Sequence, residues 1–192
     1  LIAVAPDDRE AAQRLAELRA TTEDWSGVLD AQEVLLRIAA TDEDALAVAL
    51  AMEPSAAQAN EIDRFLGAAE RVLARTTIAE TPSLAFPLVL ARARALSRDP
   101  ETADGAATAF RRAVQDAPDD DARRLAVAEL GSFLAPHMND PQRWPDARVW
   151  FERRAELGDP DERRDALIAW ARAEAGSFGD LGRAADLADR VV

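Results

Sequence analysis

Cysteine, tyrosine and lysine are absent from this 192-residue chain, and His137 is its one histidine. Without cysteine there is no disulfide framework, no thiolate nucleophile and no thiolate metal site. A single imidazole cannot build a helical zinc motif of the HExxH kind. His137, beside Pro136, therefore reads as an ordinary exposed loop side chain. No apolar run approaches the ~20 residues that span a bilayer, so membrane insertion is not expected. Glycine is scarce, and neither a phosphate-cradling Gly loop nor a Gly-x-Ser-x-Gly elbow occurs. Nothing asks for a cofactor or a metal, and no catalytic residue stands out. All 23 basic residues are Arg, against 36 Asp and Glu, for a formal charge of −13. Phosphate binding needs clustered cations, and none cluster here, so nucleic acid is not an expected partner. The acidity itself serves solubility.

Alanine, leucine and arginine dominate what remains, and apolar residues make up 48%. No alternation of strand type interrupts them, so the expected class is all-α. An Ala/Arg-rich, Lys-free composition fits a GC-rich bacterial genome. Helix stops at Pro6, Thr41–Asp42, Pro82, Pro118 and Pro160 lie 36, 40, 36 and 42 residues apart. That is the spacing of two-helix repeats, and it parses the chain into five units at 7–40, 42–80, 82–117, 119–158 and 160–192. In the first unit Ala11, Leu15 and Leu18 face inward from one helix, and Val28, Val34, Leu35 and Ile38 from the next, with Thr21, Thr22 and Asp24 as turn and N-cap. In the second unit the spacing predicts a short helix from Asp44 to Met52, stopped by Pro54, then a long one from Ser55 to about Thr76. The later pairs are 83–97 with 103–117, 121–135 with 145–157, and 161–175 with 180–192. The opening LIAVAPDD reads like the last turn of a helix, and the closing ADLADRVV carries no stop signal. Both are expected of a segment cut from a longer array, and compartment cannot be read from it.

The acidic runs Asp7–Asp8, Asp42–Glu43–Asp44 and Asp119–Asp120–Asp121 could suggest cation binding. Each opens a helical run, however, where carboxylates cap free N–H groups and meet the positive end of the dipole. No window has EF-hand spacing. Trp25, Trp144, Trp150 and Trp170 are large anchors, read as packing between helices, with partner contact as the other reading.

The best-formed stretch is AATAFRRAVQDAP, residues 106–118. Ala106, Phe110, Ala113 and Ala117 share one helical face, alternating small residues with a large knob, and Pro118 ends the run. Ala147 and Phe151 repeat the small–large pair, and the segments from Asp24 and Arg143 align with Trp25 over Trp144 and Val28 over Ala147. Ala106, Phe110, Ala113 and Pro118 match the Ala-x3-Phe-x2-Ala-x4-Pro signature of tetratricopeptide repeats, which the chain resembles over essentially its full length. Leu130–Gly131 resembles the Leu-Gly of the family's first helix, with Val127–Ala128 as a second register, and Leu15–Ala16 fits that place in unit one. The run from Trp150 to Trp170 also looks like the related Sel1-like repeat. Arg154, Glu174 and Ala188 depart from the pattern, standing where a small, an aromatic and a large residue are usual.

The resemblance implies a right-handed superhelical solenoid of about five helix-turn-helix repeats, whose first helices line a groove. It places the partner-binding positions at Glu10, Gln13 and Glu17 in unit one, at Leu125, Ala128 and Ser132 in unit four, and at Asp165, Ile168 and Arg172 in unit five. The Lys and Asn set that grips a C-terminal carboxylate in chaperone-binding relatives is missing. The acidic positions of unit one point to a partner carrying some basic residues. The expected function is a non-catalytic scaffold module of a larger bacterial protein, binding protein or peptide. The alternatives are a regulatory or substrate-docking segment of a multidomain signalling enzyme, or a structural subunit of an envelope or secretion assembly.

Overall fold

The computed structural model describes residues 8–75 and 80–191, and every regular element among them is helical. The chain divides into two compact units, residues 1–106 and 107–192.

The first unit holds α1 (Arg9–Thr21), α2 (Trp25–Ile38), α3 (Asp42–Ala59), α4 (Ile62–Leu73) and α5 (Pro82–Leu96). The unit boundary falls inside α6 (Ala103–Asp116). Helices pack in chain order, α1 on α2, α2 on α3 and α3 on α4, with α5 against both α3 and α4. Their starts are set by short polar side chains. Asp8, Asp24 and Thr41 accept from the N–H groups of Ala11, Gly27 and Asp44 at 3.0, 3.0 and 3.1 Å. Carboxylates of the Asp42–Asp44 run then occupy the first turn of α3, where the helix dipole favours them. Asp7 lies outside the described residues.

Three expectations for this unit need correction. Leu18, read as inward-facing, is 64% exposed, and Ala12 is the buried residue of α1. On α2 the buried stripe runs through Val28, Leu29, Gln32 and Leu36, leaving Val34, Leu35 and Ile38 only partly covered. The hydrophobic spacing of α2 allows either stripe, and packing against α3 selects the one that lets Gln32 Nε2 donate to the Ala51 carbonyl at 3.0 Å.

The third correction concerns Pro54. It does not stop α3, which runs on to Ala59. Ala49, Met52, Ser55 and Ala56 are buried on both sides of it, so packing outweighs the missing backbone hydrogen bond. The break comes at Asn60, whose left-handed backbone (φ 58, ψ 35) caps the helix. α4 consequently starts at Ile62 and ends at Leu73, and the predicted end near Thr76 falls outside the described residues. Arg64 of α4 reaches across to α2, pairing with Glu33 at 2.9 Å and Asp30 at 3.0 Å as well as with Glu61 at 2.9 Å. Hydrogen bonds to Glu33 and Glu61 raise its already high pKa further, against the opposing effect of burial.

The second unit continues α6 from Ala107 and adds α7 (Asp120–Leu134), α8 (Trp144–Leu157), α9 (Pro160–Ala175) and α10 (Leu181–Asp189). Here α7 packs on α8, α8 on α9 and α9 on α10. Asp119, Asp159 and Asp180 cap α7, α9 and α10, the second of them in a reciprocal capping box with Glu162. Phe110, 2% exposed, meets Phe133 at 5.4 Å between ring centroids, and Phe151 stacks on Trp170 at 6.1 Å. The stretch 136–144 between the two helices, expected to be a loop, instead takes part in two short 3-10 turns, Ala135–His137 and Pro141–Arg143. His137 is half-buried there rather than exposed, because its ring packs 5.6 Å from that of Phe133.

Glu174, which departs from the resembled repeat pattern, is fully buried. A charge in such a position needs partners on every oxygen. Arg148 of α8 supplies a two-pronged grip, Nε to Oε1 and Nη2 to Oε2, both at 2.8 Å. Trp170 donates its indole N–H to Oε1 at 2.9 Å, and Arg183 of α10 lies 3.4 Å away. Burial by itself pushes the Glu174 pKa up, but the hydrogen bonds from Arg148 and Trp170 and the charges of Arg148 and Arg183 outweigh it and hold the carboxyl below its usual range. One side chain thereby joins α8, α9 and α10.

Two stability measurements check this packing. Phe110→Ala should cost ~3–5 kcal/mol in a denaturant titration, the range for removing a buried aromatic knob. A loss under ~1 kcal/mol would place Phe110 on the surface. Glu174→Gln should cost about 2 kcal/mol at pH 7. Because the native pKa is depressed, this contribution is complete above the unfolded value of ~4.3 and fades as the pH falls through the native one. Unfolding curves of wild type and variant should therefore converge in acid.

Candidate functional site

Within the second unit α7, α8 and the start of α9 enclose an open cleft of about 620 Å³. Its α7 wall carries Arg124, Val127, Ala128, Gly131 and Ser132, spaced three and four apart as one helical face requires, with Ala135 just beyond the helix end. Trp150, Arg154 and Leu157 come from α8, with Gly158 in the turn and Glu162 in the first turn of α9.

Gly131 brings the two helices of the cleft together. A Cβ at that position would stand 2.5 Å from the Trp150 Nε1, so the indole packs directly against α7 where Gly131 lacks a side chain. Phe151, the next residue along α8, turns into the core, and a neighbour 100° round the helix cannot share its direction. Trp150 is left half-buried, its ring 4.6 Å from Phe151. Small residues beside it, Ala128 and Ser132, leave space above the ring.

Charge surrounds this apolar floor. Arg154 places its guanidinium 5.6 Å from the Trp150 ring centroid. Arg124 donates to the Leu157 carbonyl at 3.1 Å and lies 3.7 Å from Asp121. Glu162 accepts the Asp159 N–H at 3.1 Å. The arrangement offers an aromatic surface, shallow relief and a guanidinium edge, which suits binding of a side chain.

Of the positions expected to bind a partner, Ala128 and Ser132 line this cleft, both exposed on α7. Leu125 is on the same helix and 45% exposed, but it does not line the cleft. Asp165, Ile168 and Arg172 share α9, with Asp165 and Arg172 exposed and Ile168 partly covered; the cleft takes Glu162 from that helix instead. Glu10, Gln13 and Glu17 are exposed on α1 in the first unit. Glu10 is already paired with Arg14 one turn on, so α1 offers less uncompensated negative charge than its sequence suggests. The first unit has a cleft of its own, about 540 Å³ between α2 and α4, where Arg75 beyond α4 pairs with Asp42 at 3.2 Å.

Sequence reasoning passed over Gly131 and Arg154 as cleft residues, and gave Trp150 partner contact only as its second reading. The available signal was the Trp150–Phe151 pair, since consecutive aromatics on a helix cannot both enter one core. Neither a scan of protein-family models nor a search of curated proteins returned a match to this chain.

Gly131→Ala provides a check on the geometry. The added methyl must displace Trp150, so the variant should lose ~1–3 kcal/mol of stability, the usual cost of overpacking. Its tryptophan emission should also shift to longer wavelength. Unchanged emission and stability would mean that the indole does not rest on Gly131.

Proposed function

We propose that the chain is a non-catalytic docking module of tetratricopeptide type, a stack of helix pairs that holds a protein or peptide segment in the cleft of α7, α8 and α9. The observation that carries this reading is the half-buried Trp150, set under small exposed residues in an open cleft. A half-buried aromatic ring lining an open cleft is the kind of anchor that dominates binding at protein interfaces. Support also comes from the order of packing within each unit, where successive helices from α1 to α4 and from α7 to α10 rest on one another. That order leaves whole helix faces available for a partner rather than closing them into one core. Among the described residues no three His, Asp or Glu side chains gather as a metal site would need, and the buried charges of the second unit are engaged in holding helices together.

Display of random dodecapeptides against the immobilised protein tests the proposal, with Ala128→Trp as the comparison. Ala128 is exposed, so the indole fills the cleft without entering the core. Selected peptides should bind the wild type and lose at least ~10-fold in affinity, about 1.4 kcal/mol, on the variant, whose circular dichroism should match. Peptides that bind both proteins equally would refute docking in this cleft.

A further inference from the structure

The cleft of the first unit has a different chemistry. This space of about 540 Å³ is lined by Glu33, Leu36 and Arg37 from α2 and by Arg71, Val72 and Arg75 from α4 and the turn after it. Three guanidinium groups thus line one cavity against a single carboxylate, in a chain whose formal charge is −13. The arginines of α2 and α4 lie far apart in sequence, and the fold brings them together.

The placement of each arginine is local in origin, but their convergence is not. Arg37 and Arg71 stand in the last turns of α2 and α4, where the helix dipole favours a cation. Arg75 follows one turn after Arg71, and its N–H donates to the Val72 carbonyl at 3.1 Å, which keeps the two on one side of the chain. The dipole accounts for a basic residue at each helix end. It does not require both ends to open on a shared cavity. Two carboxylates near the cleft are already held: Glu33 accepts from Arg64 Nε at 2.9 Å, and Asp42 from Arg75 Nη1 at 3.2 Å. Leu36 and Val72 are buried and give the cleft apolar walls, beside which water weakens a charge interaction less than on an open surface.

We propose that this cleft is an oxyanion site that takes a phosphate group. A carboxylate offers two oxygens in one plane and is satisfied by the fork of one arginine. A phosphate monoester offers three oxygens and nearly two negative charges at neutral pH, which suits guanidinium groups arriving from two helices. Arg37 and Arg71 grip the oxygens from α2 and α4, and Arg75, anchored by Asp42, adds its charge. A small phosphate ester and a phosphorylated side chain of a partner present the same group. The site belongs to the first unit and does not depend on docking in the second.

Titration of the wild type with inorganic phosphate at constant ionic strength, followed by amide NMR, tests the assignment. Saturable shifts should appear at residues 36–37 and 71–75. Arg37→Gln and Arg71→Gln should each weaken binding about 5-fold, the upper range for an exposed charge pair. Arg163→Gln, an equal loss of charge at an exposed position of α9, should leave it unchanged, and circular dichroism should match in all four proteins. O-phosphoserine and an Ala/Gly dodecapeptide carrying one phosphoserine separate the two sources. Tighter binding of the peptide supports a phosphorylated partner, and affinity no greater than that of the amino acid supports a small ester. The absence of saturable shifts at these residues, or an affinity unmoved by both the Arg37 and the Arg71 variants, would overturn the site. Tighter binding of succinate than of phosphate would overturn the choice of phosphate.

Discussion

Alanine sets the distance between helices here, and the rest of the structure follows from that constraint. Ala45, Ala49, Ala56, Ala68, Ala106, Ala113, Ala126, Ala147 and Ala166 are completely buried. A methyl group fills little volume, so two helices meeting on alanine approach closely and leave gaps beside the contact. Large residues then fill those gaps: Leu29, Met52, Phe65 and Leu88 in the first unit, Phe110, Leu130, Leu134 and Leu167 in the second. Each alanine contributes little hydrophobic free energy by itself. The knobs between them therefore carry much of the stabilisation, at about 25 cal/mol per Å² of apolar surface buried.

Where the alternation of small and large is broken, a specific polar contact or an open space takes its place. Glu174 is fully buried among apolar packing and is held there by Arg148, Trp170 and Arg183, making a junction of three helices. Gly131 removes the last methyl from its contact and lets Trp150 pack directly against α7. Arg154, exposed on α8, places its guanidinium over that ring. Both side chains line the cleft.

Much of the helical layout is legible in the chain itself. Short polar residues and prolines mark helix starts because the free N–H groups of a first turn must be satisfied locally, and Asp24 and Asp119 do so where the sequence placed them. The face carrying Ala106, Phe110, Ala113 and Ala117 is equally local in origin, and all four are buried. Pro54 shows the limit of such reasoning. Its preference to stop a helix is real but worth a few kcal/mol, and burial of Met52 and Ala56 on either side overrides it. The choice of stripe on α2 and the exposure of Leu18 were likewise settled by which neighbour the helix met.

Class, helix order and most helix ends were determined by the sequence alone, because period and capping act within a turn or two of chain. The cleft was decided only in the tertiary structure. Ala128 and Ser132 were legible as exposed positions of α7, but Trp150 and Arg154 lie on another helix, and no local rule states that Gly131 would receive the indole. Distance in sequence is the physical reason: a site made from three helices depends on their packing, and packing is a property of surfaces that meet only when the chain has folded.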